Sequence, residues 1–343
     1  MIRFESDYTQ GAVSEIIERL AATNMEMTPG YGEDEYCESA RKKIRKEIGK
    51  ADADIHFLVG GTQTNLTFIA SAIKPYQCVI CADTGHINVH ETGAIEACGH
   101  KVIGLPSSDG KITAEQVEFF NDCHYADPTF EHMTQPGLVY ISLPTENGTI
   151  YSKSELTAIR EVCREKGLIL YIDGARLGYG LACKENDLTL ADIAELCDAF
   201  YIGGTKVGAL FGEALVITNE SCKKDFRYMM KQKGAMLAKG RLLGLQFDTL
   251  FTDGLYGKVS FHAVALAQRI RTAFENKGIE LYYNSPTNQQ FPILTRQQYD
   301  TLKKDFVFCD WGRKDDRYVV RFCTSWATDE NDVETLVKAI EKL

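Results

Sequence analysis

The sequence has too little positive charge for a typical nucleic-acid-binding protein. Its 343 residues include 38 lysines and arginines against 48 aspartates and glutamates, which gives a formal net charge of −10. Such a chain repels a phosphate backbone, although a few local cations can still hold one small phosphate group. The chain also lacks repeats and biased tracts, and 44% of its residues are hydrophobic, which excludes intrinsic disorder.

Long apolar runs and a recognisable secretion signal are absent as well. No stretch of about 18 apolar residues occurs, so no membrane-spanning helix is predicted. The segment Met1–Asp7 carries charges where a signal peptide needs an apolar core. The 11 cysteines are odd in number, and we therefore expect reduced thiols in a cytoplasmic protein. Cys78 and Cys81 have C-x-x-C spacing but no second pair, so no metal site is predicted.

Short apolar runs alternate with helical patterns over the first 250 residues. Most of the runs lack polar alternation, which is typical of strands covered on both faces. Strand–helix alternation predicts right-handed crossovers and a mainly parallel sheet in a large α/β domain. The predicted strands are Ile55–Val59, Cys78–Ala82, Lys101–Leu105, Leu138–Leu143, Leu168–Ile172, Ala199–Ile202 and Ala214–Ile217. The predicted helices are Thr64–Ile73, Thr113–Asn121, Ser154–Lys166 and Leu190–Cys197.

The pattern changes after about Leu250 to that of a smaller α+β unit. It contains a long helical pattern, three short strand patterns and a closing helix in the last fourteen residues. The long helix is Val259–Asn276, and the strands lie near Gln290–Leu294, Phe306–Cys309 and Tyr318–Cys323. We therefore predict a large domain over residues 1–250, which includes an N-terminal arm without strands, and a small domain over residues 251–343.

The residues that follow the first predicted strand form a glycine-rich turn. In doubly wound sheets, ligands bind beyond the carboxyl ends of the strands. The segment Gly60–Asn65 would point backbone N–H groups at one spot at a helix N-terminus, and the hydroxyls of Thr62 and Thr64 could add donors. This pattern predicts either an anion-binding cradle or a glycine turn with a threonine N-cap.

Two later strand ends carry a carboxylate and a lysine. Asp173 follows the strand that ends at Ile172, and it is either a ligand-binding acid or a helix N-cap. Lys206 lies among the three glycines of Gly203–Gly208, in a segment that does not match a Walker A loop. A desolvated lysine has a lowered pKa and a free amine for imine chemistry, and the alternative is a solvated loop lysine.

His86 follows the second predicted strand and would place a flat imidazole beyond the carboxyl ends of the strands. With His90 it forms an H-x-x-x-H pair, but the zinc motif H-E-x-x-H is absent. A partner for a planar cofactor is therefore favoured over a metal ligand, and a structural histidine remains an alternative. An anion cradle, an aromatic ring, an acid and a lysine are together what a pyridoxal phosphate site requires.

In this order the motifs resemble the low-specificity L-threonine aldolases of the β-eliminating lyase family. The resemblance extends from Phe4 to Phe322, and its most specific markers are Tyr31–Asp34, Gly61–Leu66, Asp173–Arg176 and Thr205-Lys206. It implies a fold-type I, three-layer α/β/α architecture with a seven-stranded, mainly parallel sheet and a small C-terminal α+β domain. It also implies pyridoxal 5'-phosphate as cofactor, a small amino-acid substrate and a homodimer or homotetramer.

The resemblance implies a role for each matching residue. Lys206 would hold the cofactor, Asp173 would pair with its pyridine nitrogen and His86 would stack on its ring. The implied phosphate loop consists of Gly61, Thr62 and Gln63. The implied substrate-binding residues are Ser6, Arg176 and Arg321 for the carboxylate, with Tyr31 contributed across a subunit interface.

Two positions depart from the family pattern. Glu146 stands where the family often has a histidine, so we expect Glu146 or His86 to take the proton of the substrate's β-hydroxyl group. Leu237 replaces an arginine that would contact the phosphate. The candidates to compensate are the basic residues within Lys233–Arg241, namely Lys233, Lys239 and Arg241, each of which could instead be a solvated surface charge.

The expected reaction is cleavage of L-threonine, L-allo-threonine or a similar β-hydroxy-α-amino acid to glycine and an aldehyde. One alternative is another pyridoxal phosphate-dependent lyase, racemase or aminotransferase on the same fold. A non-catalytic small-molecule-binding protein is an alternative from a different class. A nucleotide-binding α/β protein is disfavoured because the Walker A and G-x-G-x-x-G patterns are missing.

Overall fold

A seven-stranded sheet forms the centre of the computed structural model, which describes residues 1–343. The strands in chain order are β1 (Ile2–Arg3), β2 (Asp54–Leu58), β3 (Gln77–Ala82), β4 (Lys101–Leu105), β5 (Gln135–Ser142), β6 (Ile169–Asp173), β7 (Ala199–Gly203), β8 (Glu213–Ile217), β9 (Gln289–Gln290), β10 (Ile293–Leu294), β11 (Phe306–Val307), β12 (Cys309–Lys314) and β13 (Arg317–Cys323). The helices in chain order are α1 (Ser14–Ala22), α2 (Glu35–Ile48), α3 (Gly61–Ala72), α4 (His86–Val89), α5 (Ala94–Ala97), α6 (Ala114–Ala126), α7 (Lys153–Lys166), α8 (Leu177–Leu181), α9 (Leu190–Leu196), α10 (Glu220–Lys223), α11 (Phe226–Gln232), α12 (Arg241–Leu250), α13 (Leu255–Asn276), α14 (Arg296–Leu302) and α15 (Glu330–Glu341).

The central sheet has the order β2-β8-β7-β6-β5-β3-β4. Strand β8 runs antiparallel to both of its neighbours, and the other adjacent pairs are parallel. All seven strands predicted for this sheet are confirmed, with small differences at their ends. The carboxyl ends of the parallel strands therefore meet at one edge, where the predicted site residues follow them.

Helix α7 shows why local signals predicted the crossover helices well. The Ser152 side chain accepts a hydrogen bond from the Glu155 N–H, and the Glu155 side chain accepts from the Ser152 N–H, so the expected capping box is present. Gly167 ends the helix with a φ of 69°, a left-handed conformation that glycine adopts without steric cost. These two signals fix the helix ends before any tertiary contact is considered.

Both faces of the sheet are covered, which explains the missing polar alternation in its strands. In β6, Leu170 and Ile172 belong to an apolar cluster of 42 buried residues. Tyr171 points to the opposite face and belongs to a second cluster of 19 buried residues. Successive strand residues thus enter two different cores, which together make the predicted three-layer architecture.

A third apolar cluster of 16 buried residues lies beneath the smaller C-terminal sheet. It joins β10 and β13 to α15 and to the second half of α13. The first half of α13 packs into the largest cluster instead, through Tyr256 and Ala263. Helix α13 therefore connects the two cores, and the predicted division at residue 250 stays a prediction.

The N-terminal segment corrects one expectation. It was predicted to lack strands, but Ile2–Arg3 pairs in parallel with Phe306–Val307. Phe4 is fully buried in the C-terminal cluster, and Ser14–Ala22 forms a helix. The first residues are thus anchored to the end of the chain, which brings the segment after Phe4 to the central sheet. None of the helices combines the length and the apolar character that a membrane span requires.

Candidate active site

A cavity of about 320 Å³ opens at the carboxyl edge of the central sheet. Most of the side chains singled out from the sequence line this cavity. They are Gly61, Thr62, His86, Glu146, Asp173, Arg176 and Lys206. Residues from several strand ends, far apart in the chain, thus face one space.

Lys206 lies in the tight loop between β7 and β8. The loop is closed by hydrogen bonds from the Gly204 N–H to the Gly212 carbonyl (3.0 Å) and from the Val207 N–H to the Gly204 carbonyl (2.8 Å). A Cβ on Gly204 would lie 2.6 Å from the Gly212 oxygen, so this position requires glycine. Burial and the nearby Arg176 guanidinium lower the pKa of Lys206, which favours the neutral amine.

Asp173 ends β6 and is the most extensively hydrogen-bonded carboxylate of the site. One oxygen, Oδ2, accepts from Tyr140 Oη (2.6 Å) and Asn65 Nδ2 (3.0 Å), while Oδ1 accepts from the Tyr201 hydroxyl and the Ala175 N–H (3.0 Å). Burial would raise the pKa of Asp173, but His86 and the tyrosine hydrogen bonds hold it below its ordinary value. The group is therefore a buried, ionised carboxylate rather than a simple helix cap.

His86 is held in place by two carboxyl groups. Its Nδ1 lies 2.7 Å from Glu91 Oε1, and its backbone N–H donates to Glu146 Oε1 at 3.0 Å. Glu91 also accepts from Asn65, which in turn bonds Asp173. Burial would lower the pKa of His86, but the Glu91 hydrogen bond and the Asp173 charge raise it overall. The ring is thus fixed beside the cavity, as a stacking partner would need to be.

Glu146 is partly buried and has one carboxylate oxygen without a partner. Its Oε1 accepts from Ser142 Oγ (2.6 Å) and the His86 N–H (3.0 Å), but its Oε2 is buried without any partner. Burial raises the pKa of Glu146 above its ordinary value. A carboxylate with an unused acceptor in a cavity wall can take a proton from a ligand.

The glycine-rich turn after β2 begins α3 at Gly61. The first backbone N–H groups of a helix have no partner within it, so they can bind an anion. A Cβ on Gly61 would lie 2.9 Å from the Tyr201 hydroxyl, which explains the glycine. Thr64 does not add a donor, because its hydroxyl bonds the Gly60 carbonyl at 2.9 Å. The Gln63 amide likewise donates to the Lys233 carbonyl (3.2 Å), which leaves only its backbone N–H for the cradle.

Arg176 is held by Asp7, a residue with no role assigned from the sequence. Its Nε and Nη2 donate to the two oxygens of Asp7 at 2.6 and 2.9 Å, so one edge of the guanidinium is occupied. Burial would raise the pKa of Asp7, but Arg176 and Lys206 lower it to about 2. Only the opposite edge of Arg176, with Nη1, remains for a ligand.

Arg321 and Ser6 are close to the cavity but not part of its lining. Arg321 donates to Gln289 Oε1 (3.1 Å) and the Glu5 carbonyl (3.2 Å), and its guanidinium lies 4.9 Å from the Trp311 ring centre. The Nε of Arg321 and the Oγ of Ser6 are both buried without a partner. Two unpaired buried donors of this kind are suited to an anionic group.

Tyr31 and the segment Lys233–Arg241 do not line the cavity, although the Lys233 carbonyl contacts Gln63 beside it. Tyr31 is 46% exposed, and the Lys231 amine lies 4.7 Å from its ring centre. Arg241 is buried and donates to the carbonyl and hydroxyl of Thr23 at 2.7 and 3.0 Å. Its Nη1 has no hydrogen-bond partner, so the expectation that Arg241 compensates for the missing phosphate arginine stays a prediction.

Several residues of the site were not identified from the sequence. Tyr140 and Tyr201 lie inside strands, where their apolar neighbours indicated only core positions. Asp7 follows Ser6 in a segment whose only signal is its resemblance to the family. Glu213, which also lines the cavity, is the first residue of an antiparallel strand, whereas the strand-end rule points only to residues that follow strands.

Comparisons with known proteins give a consistent result. The family model for the beta-eliminating lyases matches residues 3–281. A low specificity L-threonine aldolase of Pseudomonas sp. is 30% identical over 98% of this chain and 96% of its own length. A solved threonine aldolase of Leishmania major is 43% identical, covers 100% of this chain and 99% of its own, and superposes with a TM-score of 0.96. Aspartate aminotransferase of Thermus thermophilus, at 13% identity, a TM-score of 0.71 and coverage of 100% and 91%, shares the fold.

Proposed function

This chain belongs to the beta-eliminating lyase family, and we propose that it cleaves L-threonine, L-allo-threonine or a similar β-hydroxy-α-amino acid to glycine and an aldehyde. Pyridoxal phosphate is the cofactor. The observation that carries the proposal is that the desolvated amine of Lys206 and the ionised, buried carboxylate of Asp173 line one cavity. The names of the similar proteins, which are threonine aldolases, support the reaction.

The residues present fit this cofactor. The absence of a Cβ at Gly61 and the free N–H groups of α3 suit a phosphate, and Asp173 suits a protonated ring nitrogen. Four donors already occupy the lone pairs of Asp173, so a ring N–H would replace one of them. Ala175 and Tyr201 are the two donors that also line the cavity, and the Tyr201 hydroxyl, which is a side-chain donor, would give way. When bound, the cofactor supplies an electron-accepting ring for the electrons of a breaking Cα bond.

The substrate carboxylate is assigned to Arg176, Arg321 and Ser6. Arg176 presents its free edge, because Asp7 holds the other, and a guanidinium fixed in this way binds a carboxylate with little loss of side-chain entropy. The unpaired Arg321 Nε and Ser6 Oγ add further donors. Holding the carboxylate sets the orientation of the amino acid and so selects which of its bonds breaks.

The proton of the β-hydroxyl group is assigned to Glu146. Its Oε2 is free to accept it, while Ser142 and the His86 N–H fix the carboxyl group through Oε1. The raised pKa of Glu146 brings this base closer to neutral pH, which makes it a better proton acceptor. His86, oriented by Glu91, is assigned to the face of the cofactor ring.

We further propose a homodimer or homotetramer in the cytoplasm. Met25, Met27 and Tyr228 are 88%, 99% and 79% exposed, and Tyr31 is held near this region by Arg227, whose Nη2 donates to its carbonyl at 3.3 Å. Exposed apolar side chains of this size are suited to a second copy of the chain. All eleven cysteines are unpaired, which supports a reducing compartment.

The proposed function is tested by Lys206→Ala. This change is expected to reduce formation of glycine and acetaldehyde from threonine below detection, because no amine remains to hold the cofactor. Borohydride treatment should then no longer attach the cofactor to the chain, as judged by visible absorption after denaturation. Lys338→Ala, at an exposed position in α15, is the control and should behave like the unmodified chain. Full activity in Lys206→Ala would refute the assignment.

A further inference from the structure

Glu213 is a buried carboxyl group in the cavity wall with no role in the proposed reaction. It is 3% exposed, and it lies opposite the last residues of β2 and β7, Leu58 and Gly203. Its Oε2 accepts a hydrogen bond from the Gly204 N–H at 2.9 Å, and the Thr205 side chain also interacts with it. Neither oxygen forms a salt bridge, so a negative charge here has no direct partner.

Lys206 is the complementary unpaired group on the same loop. It lines the same cavity, and the amide that Glu213 binds, that of Gly204, is two residues before it. The Gly212 N–H donates to Thr205 Oγ1 at 3.0 Å, which joins the two ends of the loop. An acid without a cation and a base without an anion are therefore fixed on one short, closed loop.

The chemistry of an amine that attacks a carbonyl requires this amine to lose a proton first. We propose that Glu213 is the proton-holding partner of Lys206: its carboxylate takes up the proton that the ammonium loses, and the resulting carboxylic acid returns it when the amine is set free. The two groups form no direct ion pair, so the proton passes between them through water in the cavity that both line, and no other reactant is needed. The inference rests on the proposed function, and Glu213 acts through Lys206, which makes it a positioning residue.

The electrostatic surroundings favour such an exchange. Burial raises the pKa of Glu213 to about 8, and burial lowers the pKa of Lys206. The two pKa values therefore lie closer together than those of the free side chains. The other charged or ionisable groups that act on Lys206 are Asp7, His86, His90, Asp173 and Arg176. Those that face Glu213 are Asp173, Tyr171, Tyr201 and Tyr256, and burial keeps the three tyrosines neutral.

The test measures the titration of Lys206 in the full chain freed of cofactor. The rate at which acetic anhydride modifies Lys206 is followed from pH 6 to 11 (roughly the range that spans both groups) by mass spectrometry of its peptide. Glu213→Gln keeps the acceptor for the Gly204 N–H but cannot ionise. The Glu213→Gln variant is expected to lower the midpoint of the Lys206 titration by about one pH unit, since the favourable negative charge of Glu213 is lost. Glu220→Gln, an exposed control on α10, should not shift it.

Two further measurements keep the proposal falsifiable if Glu213→Gln does not fold. In the unmodified chain, the Lys206 titration should be broader than a one-proton curve, because Glu213 exchanges its own proton over the same range. In Glu213→Asp, which retains the charge, the midpoint should stay closer to that of the unmodified chain. An unshifted midpoint in Glu213→Gln, or a single sharp one-proton curve in the unmodified chain, would overturn the proposal. Neither result depends on aldolase activity, so failure of the proposed function would be recognised separately.

Discussion

Replacing Asp7 with Asn should affect both the stability of the protein and its binding of substrate. Asp7 is fully buried and accepts hydrogen bonds from Arg176 Nε, Arg176 Nη2 and Asn288 Nδ2 at 2.6, 2.9 and 2.9 Å. The asparagine would turn an amide NH₂ toward a donor and leave the guanidinium charge without its partner. Arg176 would then no longer be fixed at the cavity.

The expected magnitudes follow from these contacts. Removing one partner of a buried, hydrogen-bonded ion pair costs about 3–5 kcal/mol in the free energy of unfolding. A hydrogen bond to a charged group contributes about 1.5–3 kcal/mol, which corresponds to a KM for threonine raised about 10- to 100-fold. The reaction step itself does not use Asp7, so kcat should fall less than kcat/KM.

Asp198→Asn provides a matched control for this experiment. Asp198 is also buried and accepts a fork from Arg160 at 2.7 and 3.0 Å, but it lies on no wall of the cavity. Urea unfolding should show a comparable loss of stability in both variants, whereas steady-state kinetics should show the raised KM only in Asp7→Asn. An unchanged KM in a folded Asp7→Asn protein would refute the proposed role of the pair.

The Asp7–Arg176 pair also predicts how stability depends on pH. The pKa of Asp7 is lowered from 3.8 to about 2 on folding, so the folded state favours the ionised form. Asp7 therefore contributes about 2 kcal/mol above pH 4 or so, and this contribution is lost as the pH falls toward about 2. In Asp7→Asn, that part of the acid-induced loss of stability should be missing when unfolding is measured across this range.

Two further changes test other parts of the site. Glu146→Gln should lower kcat about 10²- to 10⁴-fold with little change in KM, and it should remove the decline in activity that occurs as the pH falls through the raised pKa of Glu146. An unchanged pH profile would exclude Glu146 as the base. Gly61→Ala places a Cβ 2.9 Å from the Tyr201 hydroxyl and should weaken cofactor binding about tenfold in a fluorescence titration. Gly60→Ala, with an extended φ of −175° and no atom within 4 Å of the added Cβ, is its control; equal affinities would contradict the cradle.

The central sheet could be predicted because its signals are local. All its strands except the edge strand β4 are largely buried and read as short apolar runs, and α7 carries its own caps at Ser152 and Gly167. The two-residue strand Ile2–Arg3 could not be predicted, because it exists only through pairing with Phe306–Val307 at the other end of the chain. Its own sequence contains no signal long enough to indicate a strand.

In the candidate site, too, residues with a local signal could be predicted, and residues that depend on distant contacts could not. The rule that ligands bind after strand ends indicated His86, Asp173 and Lys206, and the resemblance indicated Glu146. All four line one cavity, while their roles stay proposals. Asp7 was missed because its importance comes from an arginine 169 residues away in the chain. Such a pair is created by tertiary packing, and neither partner marks the other in the sequence.

Glu213 and Arg241 show that the sequence alone does not reveal which charged residues belong to the site. Glu213 had no sequence signal, yet the antiparallel direction of β8 brings it to the catalytic edge. Arg241 was indicated by the resemblance to the family's glycine-rich segment, yet its Nη2 is engaged by Thr23 and only Nη1 is without a partner. Whether a charged residue is free or engaged depends on partners that only the folded chain supplies.

Steady-state cleavage of the four stereoisomers of threonine tests the proposed function most directly. With pyridoxal phosphate present, glycine and acetaldehyde should form in equal amounts from L-threonine, L-allo-threonine or both, and neither should form in the Lys206→Ala variant. Formation of ammonia and a keto acid instead would indicate elimination rather than carbon–carbon cleavage. Absence of glycine and acetaldehyde from all four stereoisomers would contradict the proposal for threonine as a substrate.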